Sequence, residues 1–190
     1  IGTITSPFKF FHEWKRVNED DKPDINLVTI IKGTCSKDKL IDLFENFIAY
    51  EDVGGKIIKI LAKNHQYLGV NNVISNVKSV EDLKGKLGVF WHTQGSGKSY
   101  SMYFLAEKIH RKFYGSYTIV IVLDREELET QIYKNFTAVG ALKDKSLLAK
   151  AMKISFFELA KFITSNSPNL LDSKIILTES LIENKNWEEA

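Results

Sequence analysis

Short apolar runs alternate with helical-period segments along most of this chain. "KIIKIL" (56–61), "KLGVFW" (86–91), "YTIVIVLD" (117–124) and "SKIILT" (173–178) have the length and β-branched content of strands, and "KLGVFW" has the unbroken apolar character of a strand buried on both faces. Between them lie helices. Ser36 is placed to cap one from Lys37 to Phe47, with Leu40, Leu43, Phe44 and Phe47 on one face. Gly54 and Gly55 break the pattern before "KIIKIL", and a second helix follows in which Tyr67, Val70, Val73, Ile74 and Val77 line up. A third, "KSYSMYFLAEKIHRKF", carries a stripe of Met102, Leu105, Ala106, Ile109 and Phe113. "REELETQIYKNF" is a fourth, with an acidic start that suits its dipole, and 147–163 is a fifth, ahead of Pro168. Strands separated by helices predict an α/β fold, a parallel sheet with crossovers and helices on both faces. The first 31 residues, with an aromatic cluster and a charged Pro-containing loop, are expected to form an irregular arm.

Composition narrows the class only a little. The chain has 190 residues, 44% of them hydrophobic, enough for one core with an extension. Its 26 Lys and Arg against 24 Asp and Glu leave a net charge of +2, so any nucleic-acid contact must come from a local patch. Cys35, the single cysteine, excludes an internal disulfide and is expected to be a buried small apolar residue. Nothing resembles a signal peptide or a membrane span, which points to the cytoplasm and away from a membrane partner. The chain opens on Ile1 and closes on "NWEEA" without a stop signal, the look of a fragment.

The chemistry concentrates in "GVFWHTQGSGKSYSM" (88–102), between the predicted strand and helix. The phosphate-loop pattern G-x-x-x-x-G-K-[ST] is met by Gly97, Lys98 and Ser99, with His92 in the place of the leading glycine. Such a loop wraps backbone N–H groups around phosphates; Gly95 and Gly97 allow the necessary turns and close approach. Lys98 supplies a point charge, Ser99 a hydroxyl for a magnesium ion, and the helix its unpaired N–H groups. The expected ATP-binding set is Thr93, Gly95, Ser96, Gly97, Lys98 and Ser99, with Mg held at Ser99. His92 is expected to pack against or cap the loop.

Four segments resemble the restriction (R) subunit of type I restriction enzymes, a superfamily-two, helicase-like DNA translocase that carries an endonuclease. "GVFWHTQGSGKS" is similar to that family's W-H-T-x-G-S-G-K-[ST] loop, which accounts for His92. "VIVLDREELETQI" is similar to its next motif, "KNHQYLGVNNVI" to the upstream helix with an adenine-reading glutamine, here Gln66, and "SKIILTESLIEN" to the strand beyond. The resemblance implies a linker or extension over residues 1–55 and a first RecA-like motor domain over 56–190, truncated before the D-E-x-H motif. It implies ATP and Mg as cofactors, double-stranded DNA as substrate, and methylation and specificity subunits as partners. The parent would couple ATP hydrolysis to DNA translocation and cleavage; this piece is expected to bind nucleotide without turnover, with no catalytic residue of its own. After Thr178 the chain departs from the family's T-T-I-x-K-F, reading Glu179, Ser180, Leu181 and Ile182, so no DNA contact is carried over there.

Other residues admit plainer readings. Asp124 closes a strand but lacks the neighbouring carboxylate of a magnesium-binding pair. Arg125 is either a DNA phosphate contact, by the resemblance, or half of a helix-start ion pair. Gln66 is otherwise a solvated helix glutamine, His12, His65 and His110 structural or surface histidines, and Lys108, Arg111 and Lys112 cations favoured at a helix C-terminus. "HEWK" (12–15) lacks the upstream Asp of a nuclease site. Two rival functions remain: a small stand-alone phosphate-loop kinase, and a non-catalytic interaction module with a vestigial loop.

Overall fold

The computed structural model describes residues 1–6, 8, 11–115, 118–122, 126–139 and 174–178. They form two compact units, one built around residues 1–112 and the other around 113–137 and 174–178.

The first unit begins as an arm without regular structure that is nevertheless fastened down. Thr3 and Ser6 hydroxyls donate to the Lys59 carbonyl at 2.9 and 3.0 Å, and Lys59 N–H donates to Thr5 Oγ1, so hydroxyls stand in for a third strand. Trp14 is fully buried and lies so close over Gly33 that a Cβ there would fall 2.2 Å from its Nε1. Helix α1 (Leu27–Thr34), which overlaps the end of the first 31 residues expected to be irregular, is capped by Asn26, whose side chain accepts from Thr29 N–H at 2.7 Å. Helix α2 (Lys37–Asn46) follows Ser36 as predicted, although the Ser36 side chain makes no capping bond.

Strands β1 (Ile48–Val53) and β2 (Lys56–Leu61) then form an antiparallel hairpin, with Ile48 opposite Leu61 and Val53 opposite Lys56. Gly54 and Gly55 do more than break a pattern: at φ 63° and 84° they supply the two left-handed residues of a two-residue hairpin turn. The hairpin therefore runs across residues 55 and 56. Helix α3 (Asn64–Val77) and helix α4 (Lys98–Lys112) complete the unit. The core gathers Trp14, Phe47, Tyr67, Val70, Phe104 and Ile109. Phe47 sits at its centre, with ring centroids 4.7 Å from Tyr67 and 5.7 Å from Phe104.

Three expectations are corrected here. "KLGVFW" joins no ladder among the described residues, and Val89 and Trp91 are 77% and 78% exposed, so it is not a strand buried on both faces. The buried stripe of α4 is Ser101, Phe104, Leu105, Lys108 and Ile109, with Met102 and Ala106 only half-buried. Phe104 joins the Phe47 cluster and Lys108 is drawn inward by Asp42, which rotates the helix from the face that hydrophobicity alone selects. Cys35 is exposed, not buried.

The second unit holds strands β3 (Thr118–Val122) and β4 (Lys174–Thr178), paired in parallel with Thr118 opposite Lys174 and Val122 opposite Thr178. Helix α5 (Glu126–Ala138), which buries Ile132 and Phe136, lies in the connection between them, as a parallel pair requires. Parallel pairing is thus limited to two strands among those described, and the molecule is α/β. Asp124, Arg125, the helix expected at 147–163 and Pro168 lie outside the described residues.

Candidate nucleotide site

One face of α3 carries the segment that bears the glycine loop. Asn76 Nδ2 donates to the Leu87 carbonyl at 2.7 Å. A Cβ on Gly88 would lie 3.9 Å from Val73, and a Cβ on Gly69 would lie 2.6 Å from the Phe90 ring. His65 packs against His92 with ring centroids 4.7 Å apart and the planes tilted by 49°, and its Nε2 lies 3.2 Å from the Ser96 carbonyl. Gln66 Nε2 donates to the Gly97 carbonyl at 2.8 Å. Residues 65, 69, 73 and 76 recur at helical spacing, so a single face tracks the incoming chain and sets where the loop must turn. Glycine inside a helix costs about 1 kcal/mol against alanine; at Gly69 that cost is offset by the close approach of Phe90, and it is the one signal in the sequence that could have exposed this packing.

The loop turns tightly. Ser96 N–H donates to Thr93 O at 3.2 Å, and Gly95 and Gly97 take φ values of 76° and 91° in the left-handed region. At Gly95 a Cβ would meet open space, so backbone conformation alone favours glycine; at Gly97 it would also come within 2.8 Å of Gln66 Nε2. Helix α4 starts at Lys98, with Tyr100 and Ser101 N–H groups donating to Gly97 O. No described residue accepts from the N–H groups of Gly97, Lys98 or Ser99. The Lys98 ammonium folds back across the loop and donates to the His92 carbonyl at 3.0 Å. Thr93 and Gly95 are exposed, Ser96 to Ser99 half-buried, and the Ser96 hydroxyl is buried without a partner among the described residues. Unpaired amides, a helix N-terminus and a lysine folded across the loop suit a phosphate chain, and Ser99 on the first turn suits the magnesium that accompanies it.

Of the sequence-predicted site residues, Thr93, Gly95, Ser96, Gly97, Lys98 and Ser99 come together in this loop, and Gln66 joins them from α3. Gln66 is not a solvated helix residue: it is 2% exposed, and its Oε1 accepts from Lys63 N–H at 2.8 Å. Arg125 lies outside the described residues. His65, read from sequence as structural or surface, touches the loop directly. Burial, above all, lowers the pKa values of both His65 and His92, aided at His92 by the Lys98 charge. Lys108 is buried in an ion pair with Asp42 and donates to Asn71 Oδ1 at 2.6 Å, so it is not the surface cation expected at a helix end. Burial pushes Asp42 up, but the Lys108 ammonium and the Asn46 and Asn71 amides hold it below the usual carboxylate range.

A glycine loop opening a helix, with a lysine folded over it, defines the class of phosphate-loop proteins. Residues 65–178 match the family model of the SWI2/SNF2 ATPase, and the chain belongs to that family. The match opens at His65, where the loop is first clasped, and closes at the end of β4. The chain is similar to the type I restriction enzyme HindI endonuclease subunit of Haemophilus influenzae, 37% identical over 147 residues, 73% of this chain and 14% of that protein. It is also 30% identical over 180 residues to the putative type I restriction enzyme MjaVIIIP endonuclease subunit of Methanocaldococcus jannaschii, 90% of this chain and 17% of that protein. The chain thus spans about one sixth or less of the length of these relatives, and the resemblance to type I restriction subunits seen in the sequence is borne out. No helix among the described residues is long and apolar enough to cross a membrane.

Proposed function

We propose that this chain is the ATP-binding part of the DNA-translocating motor of a type I restriction endonuclease subunit. The observation that carries the reading is the Lys98 ammonium folded back across the glycine loop onto the His92 carbonyl, beside the unpaired N–H groups of Gly97, Lys98 and Ser99 at the start of α4. Thr93, Gly95, Ser96, Gly97 and Lys98 hold the phosphates, Ser99 offers its hydroxyl to Mg, and Gln66, buried on Gly97 and Lys63 in this structure, reads adenine only once its amide leaves these bonds. In the whole enzyme, hydrolysis drives double-stranded DNA past a complex that includes methylation and specificity subunits until the nuclease cuts, with Arg125 contacting the DNA backbone. The fold behind it is a RecA-like parallel sheet with helices on both faces, residues 1–55 serving as the linker and 56–190 as the motor domain. The chain alone binds Mg·ATP without turning it over, because hydrolysis needs a carboxylate to orient water and a cation over the developing charge, and the loop offers only binding groups.

Calorimetry with Mg·ATP tests this on the intact chain and on Lys98→Ala. Binding by the first and loss in the second supports the reading; equal heats favour an interaction module. Phosphate transfer to a nucleoside monophosphate would favour a kinase.

A further inference from the structure

We propose that His65 is a positioning residue for the phosphate loop, acting with Gln66 as a two-point clasp that turns the loop's amides toward the nucleotide. The inference rests on the reading of the loop as a nucleotide site, and deepens it.

All peptide bonds among the described residues are trans, so each carbonyl points opposite to the N–H of the next residue. The Ser96 carbonyl lies 3.2 Å from His65 Nε2, and the Gly97 carbonyl accepts from Gln66 Nε2 at 2.8 Å. The Ser96 carbonyl has its one described partner on α3, whereas the Gly97 carbonyl is shared between Gln66 and the Tyr100 and Ser101 N–H groups of α4; the N–H groups of Gly97 and Lys98 point opposite to these carbonyls, and no described residue accepts from them. These amides lie in the loop that the Lys98 ammonium crosses to reach the His92 carbonyl. Without the clasp the Ser96–Gly97 peptide is free to flip, since glycine has no Cβ to hold it, and a flip would present a carbonyl to the phosphates.

Chemistry sets the tautomer. A carbonyl only accepts, so His65 must carry its proton on Nε2. The His65 ring also packs against His92, with centroids 4.7 Å apart and the planes tilted by 49°, which restrains the donor before any ligand arrives. Gln66 is oriented in turn by Lys63 N–H, which binds its Oε1 at 2.8 Å.

The test compares Mg·ATP affinity by calorimetry for the full chain, His65→Phe, His65→Gln and Lys98→Ala, with a thermal melt of each. Phenylalanine keeps a ring against His92 but has no donor; glutamine restores an N–H of similar reach. Binding on the order of tenfold weaker in His65→Phe, recovered in His65→Gln at matched melting temperature, is the expected result, about the upper end of what one hydrogen bond contributes. Unchanged affinity in His65→Phe, or no recovery in His65→Gln, overturns the clasp while leaving the site in place. Absence of binding in the wild type, or equal binding by Lys98→Ala, overturns the nucleotide reading and the clasp with it. Imidazole nitrogen shifts of the unaltered chain give a readout free of any variant: a neutral His65 protonated on Nε2 is expected, and protonation on Nδ1 overturns the proposal.

Discussion

Gln66 and Gly97 define each other: the glutamine amide donates to the glycine carbonyl at 2.8 Å and occupies the place where a side chain on residue 97 would begin, 2.8 Å from the same nitrogen. A helix and a loop separated by thirty residues of sequence are thereby held at one distance.

The two loop glycines should respond differently to substitution. Gly97→Ala meets both a left-handed φ of 91° and the Gln66 amide, whereas Gly95→Ala meets only the φ of 76°. A strained backbone residue costs of the order of 1–3 kcal/mol, and the Gly97 variant adds a displaced Gln66. Mg·ATP titrations should show Gly97→Ala the weaker binder, with Gly95→Asn milder than Gly95→Ala because asparagine tolerates this region. The reverse order would contradict the packing.

Gly69→Ala should loosen the seat of the loop without touching it. Its Cβ would fall 2.6 Å from Phe90 Cε1 and 3.0 Å from Cζ, so the ring must move and residues 87–92 with it. Overpacking of this kind costs roughly 1–3 kcal/mol. A lower midpoint in chemical denaturation together with weaker nucleotide binding is expected, and Gly69→Ala with Phe90→Leu should recover part of both.

The buried pair of Lys108 and Asp42 ties α4 to α2. Their side chains are 5% and 18% exposed, and Asn46 Nδ2 and Asn71 Nδ2 also donate to Asp42, at 2.9 and 3.2 Å. Removing one partner of such a pair costs about 3–5 kcal/mol because the other charge stays buried, whereas replacing both by apolar residues is often near neutral. Lys108→Ala should therefore destabilise far more than Lys108→Met combined with Asp42→Leu. A double-mutant cycle read by urea denaturation checks it, and additive losses would show the pair to be unimportant.

Acid should destabilise the folded chain before its carboxylates titrate. Burial lowers the pKa values of His12, His65 and His92 below 6.5; Lys63 and the N-terminal ammonium add to this at His12, His92 and Lys63 at His65, and Lys98 at His92. Each imidazole binds its proton less well folded than unfolded. Stability is thus full above about pH 6.5 and declines as pH falls from there toward the lowered folded values, where the unfolded chain takes up protons that the folded chain refuses. The melting temperature should be lower near pH 5.5 than near pH 7.5, and His92→Asn should flatten the profile. A level profile across this interval would sink the linkage.

Much of the site was legible in the chain. The glycine spacing, Lys98 and Ser99 announced the loop because a phosphate cradle is built from consecutive residues, and local chemistry needs no distant partner. Gln66 was reached only through resemblance, since a glutamine on a helix has no pattern of its own. Lys108 was misread, and the partner of the structural histidine His65 went unseen, because both depend on what meets them in space: Asp42 sixty-six residues back for Lys108, and the Ser96 carbonyl thirty-one residues on for His65.

The sequence by itself determined where helices α2, α3 and α4 run and where the loop turns, because periodicity, helix entry and glycine conformation are properties of neighbouring residues. Tertiary structure alone decided which faces were buried, that β1 pairs with β2 across Gly54 and Gly55, and that residues 86–91 lie along α3 outside any described ladder. The physical reason is that burial and pairing are shared between segments: a Phe47 at the centre or an Asp42 ready for a lysine changes which side of a helix is worth burying, and no window of one strand or one helix contains its partner.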